Sequence, residues 1–156
     1  MLSMAIGMPS NTASSVCLAD HTSIKSHATE SKYTMRILLA DHHAAPLWAL
    51  KTMLQEESGI EVVGEAMDGD CLLGLAESLY PDLILMDKDL PGRMIEDLIT
   101  ALHLLDPKPV VMVMSSDPAD GRMLLRVGAD AFVSKGDQAD WLLHSLRKYT
   151  NSIYNK

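Results

Sequence analysis

Short, nearly unbroken apolar runs alternate along this chain with longer stretches in which apolar residues recur every three or four positions. The runs are Arg36–Ala40, Ile60–Ala66, Leu83–Met86, Val110–Met114 and Ala131–Ser134. Leu83 to Met86 is too short and too continuous for a surface helix, and reads as a strand buried on both faces. Ile60–Ala66 partly alternates, which places it nearer a sheet edge. The intervening stretches have helical spacing. Pro46 suits the first turn of a helix carrying Leu47, Leu50, Met53 and Leu54, which Ser58-Gly59 stops. Asp68-Gly69 leads into a helix with Leu72, Leu75, Ala76 and Leu79, closed by Pro81. Met94, Leu98, Leu102 and Leu105 mark a third helix, ended by Asp106-Pro107. Asp117-Pro118 opens a short fourth helix with Met123, Leu124 and Val127, stopped by Gly128. The last helix is expected from about Asp137 to Tyr149, with Leu142, Leu146 and Tyr149 inward.

Five strands alternating with five helices, their starts about 21–27 residues apart, make one βαβ unit after another. Such units require a parallel sheet with right-handed crossovers. Five strands are too few for a closed eight-stranded barrel, so the expected fold is α/β: an open, doubly wound (βα)5 sheet of flavodoxin-like topology.

Length and composition narrow the classes. A chain of 156 residues, 47% hydrophobic, builds one domain with a real core. The net charge of −8 and pI near 5.1 argue against a protein that holds nucleic acid by its phosphates, so no direct DNA binding is expected. No segment approaches a membrane span. Residues 1–34 are rich in Ser, Thr, Ala and His, and carry no core-like run. They read either as a disordered N-terminal extension or as untranslated sequence ahead of a start at Met35. The ordered domain is expected over 35–150, with a short tail over 151–156. Cys17 and Cys71 share no motif. Cys71 falls in a helical pattern as a small core residue, which fits a reducing cytoplasm.

The chemistry lies where the strands stop. All carboxyl ends of a parallel sheet share one edge, and there the chain places Asp41, Asp87, Ser115 and Lys135. Taken alone, Asp87 could merely cap a turn before Pro91-Gly92. Together, two carboxylates in one cleft repel unless a cation lies between them. Oxygen ligands of this kind suit Mg²⁺. A converging lysine neutralises a transferred phosphoryl group, and a serine hydroxyl hydrogen-bonds its oxygens. The set reads as an aspartyl-phosphate site with a carboxylate nucleophile, a metal and an electrophilic clamp.

From about Met35 to Tyr149 the chain resembles the receiver domain of two-component response regulators. The resemblance rests on Ile37-Leu38-Leu39-Ala40-Asp41, on Asp82-Leu83-Ile84-Leu85-Met86-Asp87 with Leu90-Pro91-Gly92, on Met114-Ser115, and on Gly128 to Lys135. It implies that Asp87 accepts phosphate from a histidine kinase or phosphotransfer protein. Asp41, Asp87 and the backbone carbonyl of Asp89 would hold Mg²⁺. Ser115 would move toward the phosphoryl group, Phe132 would change rotamer with it, and Lys135 would pair with the phosphate. Asp89 and Asp117, two positions beyond Asp87 and Ser115, occupy places that influence how long the phosphate lasts in this family. A plain solvated loop explains them equally well. Trp141, one position off the inward stripe of its helix, lies on a face that in the family docks partners or pairs receivers, or else it covers the core edge.

One departure stands out. The family has two adjacent acids after the first strand, and this chain has Asp41-His42. Losing a negative oxygen ligand weakens Mg²⁺ binding, and imidazole is a poor substitute for a hard cation. His42 and His43 read as solvated loop residues, or His42 selects a softer metal. The expected function is phosphorelay signal transduction by a stand-alone, non-enzymatic response regulator, with a downstream protein partner or a receiver dimer. The alternative is a degenerate receiver acting as a phosphate-independent adaptor. A phosphatase-like or nucleotide-binding enzyme on the same topology lacks both a glycine-rich turn after the first strand and a second acid–base group.

Overall fold

A computed structural model describes residues Leu18–Ala19 and Tyr33–Asn155. In chain order the elements are β1 (Leu18–Ala19), β2 (Met35–Ala40), α1 (Ala44–Gln55), β3 (Ile60–Ala66), α2 (Gly69–Leu79) and β4 (Leu83–Asp87). They continue with α3 (Ile95–His103), β5 (Val110–Ser115), α4 (Asp120–Arg126), β6 (Ala131–Ser134) and α5 (Ala139–Tyr154). The sheet order is β1-β3-β2-β4-β5-β6. From β3 to β6 all pairings are parallel, so the five expected strands form the expected flavodoxin-like sheet with its five helices. β1 adds a short antiparallel edge, Leu18 opposite Glu65 and Ala19 opposite Gly64. The remainder of residues 1–32 lies outside the described residues, and with it most of the proposed N-terminal extension.

The chain steps from β2 outward to β3 and then back across to β4. That reversal puts a crevice at the carboxyl ends of β2 and β4, the place where open α/β sheets bind ligands. Every residue of β4 is buried, as its continuous apolar run requires. Side chains alternate across the sheet and feed two clusters. Leu38, Ala40, Ile84, Met86, Val111 and Val113 pack with α2, α3 and α4 residues on one face. Ile37, Leu39, Leu83, Leu85, Met112 and Val133 pack with Leu47, Leu54, Leu142 and Leu146 on the other. Each fully buried aliphatic side chain contributes about 1.5–3 kcal/mol relative to exposure.

Local signals set the helix ends. Asp68 caps α2 by accepting from Cys71 N at 2.8 Å. Tyr80 closes it in the left-handed region, φ 50°. The carbonyls left over at that end accept from the Arg36 guanidinium, Tyr80 O at 3.1 Å and Leu79 O more closely. Three details differ from the pattern-based expectation. Met94 is 68% exposed and is the N-cap of α3, not part of its buried stripe, which Leu98, Ile99 and Leu102 form. α5 runs on to Tyr154, because Ile153 packs against the β2 side of the core and Thr150 Oγ bonds Leu146 O at 3.1 Å. Cys71 is buried as expected but is disulfide-bonded rather than a free thiol, so it gives no support to a reducing compartment. Among the described residues no helix is long and apolar enough to cross a membrane.

Candidate functional site

Strand alternation decides which terminal side chains meet. Counting onward from Ile37 and Leu39 reaches Asp41; from Leu83 and Leu85, Asp87; from Ala131 and Val133, Lys135. All three have the parity of the α1/α5 face. Asp41 is fully buried and Asp87 nearly so. Such carboxylates need a compensating charge, and Lys135 supplies it. Its Nζ lies 2.9 Å from Asp41 Oδ2 and 3.2 Å from Asp87 Oδ1. Burial works against the Lys135 charge, but the hydrogen bond to Asp41 and the fields of Asp87 and Asp41 outweigh it. The net effect holds its pKa above the ordinary 10.5.

The second oxygen of each carboxylate faces the loop after β2. His42 Nδ1 lies 3.2 Å from Asp87 Oδ2 and 3.9 Å from Asp41 Oδ1. The close contact lacks hydrogen-bond geometry, and that nitrogen is sealed from solvent without a hydrogen-bond partner. His43 Nδ1 lies 3.4 Å from Asp41 Oδ1, and the His43 backbone N donates to the same oxygen at 2.9 Å. Asp41, His42, His43 and Asp87 thus each bring a ligand atom into a cluster no more than 4.8 Å across. His42 is not a freely solvated loop histidine.

Ser115 has the opposite parity, in register with Val111 and Val113, and turns toward α4. Its hydroxyl donates to Asp120 Oδ2 at 2.6 Å. The same oxygen accepts from Lys88 Nζ at 2.7 Å. The Lys88 hydrogen bond, reinforced by Ser115, holds the Asp120 carboxyl below its ordinary 3.8, and the bond to Asp120 raises Lys88 above 10.5 despite its desolvation. Phe132 is half-buried on this side, its ring against Gly121 of α4. The sequence placed Asp41, Asp87, Ser115 and Lys135 at this edge, and the family resemblance added Phe132. It did not single out Asp120 or Lys88, because one acid in a seven-residue helix and one lysine after a strand look solvated. Asp89 and Asp117 stay peripheral: the Asp89 carboxylate is exposed, and Asp117 Oδ1 accepts from Ala119 N in its own loop.

This fold and edge constellation are those of a receiver, and comparison with known proteins agrees. The response regulator receiver domain model matches residues 37–147. The chain is 33% identical over 119 residues to the response regulator GacA of Pseudomonas aeruginosa, covering 73% of this chain and 54% of that protein. It is 35% identical over 114 residues to the nitrate/nitrite response regulator NarL of Escherichia coli K12, covering 72% and 53%. Among solved structures, the response regulator domain of Thermotoga maritima CheB superposes with TM-score 0.67 at 26% identity, covering 76% of this chain and 97% of that one. The NarL receiver domain of Mycobacterium tuberculosis shares the fold with TM-score 0.68 at 24% identity, covering 74% and 95%. The chain belongs to the response regulator receiver family of two-component signalling. It spans about half the length of the curated relatives it matches.

Receivers generally bind Mg²⁺, and the donors here can be tested against it. Asp41 and Asp87 offer the hard oxygens a divalent cation needs. The position of the usual second acid is taken by an imidazole nitrogen that crowds Asp87 Oδ2. The cluster can hold a divalent ion, though its nitrogen share suits Mg²⁺ poorly.

Proposed function

We propose that this chain is a phosphoacceptor switch in a two-component relay, with Asp87 as the nucleophile. The observation that carries the reading is Asp87 itself: a buried carboxylate at the β2/β4 crevice with Lys135 Nζ at 3.2 Å. One Asp87 oxygen attacks the phosphorus of a phosphohistidine or an acyl phosphate. The P–N or P–O bond of the donor breaks, imidazole or carboxylate leaves with the bonding pair, and an acyl phosphate remains on Asp87. Lys135 neutralises the added charge. Ser115 reaches the phosphoryl oxygens by leaving Asp120, and Phe132 follows it. Mg²⁺, held by Asp41, Asp87 and the Asp89 carbonyl, would neutralise charge on the transferred group, and His42 weakens its hold. The phosphate donor is a histidine kinase or phosphotransfer protein. The output is a protein partner or a second receiver docking on the face that carries the exposed Trp141, and the domain makes no direct DNA contact.

The test is intact mass of the full chain with acetyl phosphate and Mg²⁺. One added phosphate is expected in the wild type and none in Asp87→Ala. Labelling that persists in Asp87→Ala removes the assignment. No adduct in the folded wild-type chain favours the second reading, a phosphate-independent adaptor, for which the His42 contact and the Ser115–Asp120 bond are the supporting observations.

A further inference from the structure

The carboxylates at the strand ends are two-sided. Asp41 Oδ2 and Asp87 Oδ1 are taken by Lys135, while Asp41 Oδ1 and Asp87 Oδ2 face two imidazole nitrogens. Three of the donor separations are 3.2, 3.4 and 3.9 Å, and all four donors lie within 4.8 Å of one another. Four ligands on a tetrahedral zinc-like ion, each about 2.0–2.2 Å from it, stand roughly 3.3–3.6 Å apart. An octahedral Mg²⁺ at about 2.1 Å asks for six oxygens roughly 3.0 Å apart and keeps several waters. The composition points the same way, because imidazole raises affinity for borderline ions and contributes little for Mg²⁺. Charge admits the ion: the two carboxylates and Lys135 sum to −1, so with neutral imidazole ligands a divalent ion leaves the cluster at +1. The otherwise unexplained feature is His42 Nδ1, sealed from solvent beside Asp87 with no hydrogen bond to make. A metal ion would use its lone pair.

We propose that Asp41, His42, His43 and Asp87 form a binding site for a borderline transition ion of the Zn²⁺ class, and that its occupation opposes phosphorylation. With four protein ligands the ion has no open position for a phosphoryl oxygen, and Asp87 Oδ2 is tied to it. The binding half rests on donor geometry alone and stands whether or not Asp87 is a phosphoacceptor.

The experiment titrates the full chain with Zn²⁺ against a chromophoric chelator, and with Co²⁺ while recording visible absorption. The expected result is one ion per chain, a tetrahedral-intensity Co²⁺ spectrum, and a loss of affinity of roughly 100-fold or more in His42→Ala/His43→Ala. His21→Ala/His27→Ala serves as the control for the histidines outside the described residues and should bind unchanged. His42→Asp, which restores an oxygen ligand, should lose Zn²⁺ affinity and gain Mg²⁺ affinity. Binding that survives His42→Ala/His43→Ala, or that disappears with His21 and His27, overturns the site. So does a preference for Mg²⁺ over Zn²⁺ in the wild type. One equivalent of Zn²⁺ should slow Mg²⁺-supported labelling by acetyl phosphate, and unchanged labelling with Zn²⁺ bound overturns the antagonism.

Discussion

At the scale of single residues, the side chain that restrains Ser115 is Asp120. It holds the Ser115 hydroxyl at 2.6 Å and is itself held by Lys88 at 2.7 Å, so the hydroxyl points away from Asp87. Breaking one such bond costs on the order of 1 kcal/mol, and a charged partner raises that. Asp120→Ala should therefore free Ser115 and speed labelling of Asp87 by up to about tenfold, the factor that 1.4 kcal/mol represents. Ser115→Ala in the same background should remove the gain. A time course of intact mass with acetyl phosphate measures both, and equal rates in wild type and Asp120→Ala would show that the bond restrains nothing. The placement of these residues was legible where a strand ended in one: Asp41, Asp87, Ser115 and Lys135 each stop an apolar run. Asp120 was not, because its role depends on where α4 lies in space. The same holds for His43, whose partner Asp41 is two positions away in sequence but whose contact depends on how the loop folds.

At the scale of elements, α4 and β6 meet through an unusually close pair. A Cβ on Gly121 would stand 2.6 Å from Phe132 Cδ1, well inside contact distance. Gly121→Ala should destabilise the fold by about 1–3 kcal/mol, as overpacking does. Combined with Phe132→Ala, the added methyl should cost much less. A double-mutant cycle by urea unfolding measures the coupling, and additive losses would mean that the two positions do not meet. Most element boundaries were readable, since Ser58-Gly59, Pro81, Asp106-Pro107 and Gly128 are strong stop signals. The pattern stops short of the end of α5 because Thr150, Asn151 and Ser152 are polar, and only the fold shows Ile153 returning to the core. Met94 misled in the opposite sense: an apolar residue in phase with Leu98 turned out to precede the helix. The edge strand Leu18–Ala19 is two residues long and leaves no periodic trace.

At the scale of the whole molecule, the two lysine–carboxylate systems make stability depend on pH at both ends of the range. Lys135 and Lys88 have folded pKa values above 10.5. Their contribution is complete below that value, where the unfolded chain is also protonated, and is lost as pH rises through the folded values. Asp120 lies below 3.8 when folded, so its contribution is complete above 3.8 and disappears as pH falls through its folded value. The melting temperature should thus hold a plateau between these limits and fall on either side. Lys135→Met should flatten the alkaline limb, and Asp120→Asn should soften both limbs, since Lys88 loses its partner too. Thermal unfolding across pH with these variants is the measurement, and parallel curves would show that neither system matters to folding.

Strand parity gives the sheet a further property. Asp41, Asp87 and Lys135 belong to the layer of α1 and α5, whereas Ser115 and Phe132 belong to that of α4. The sheet is in effect a partition between two compartments, and Ser115 stands in the doorway. Lys135 also touches the doorway itself, its backbone N donating to Ser115 O at 2.8 Å. A disturbance that draws Ser115 off Asp120 crosses the wall and leaves Asp120 Oδ2 with its Lys88 partner. If Asp87 is the acceptor proposed above, the Ser115 hydroxyl is a side-chain route by which a change on one side of the sheet reaches the other.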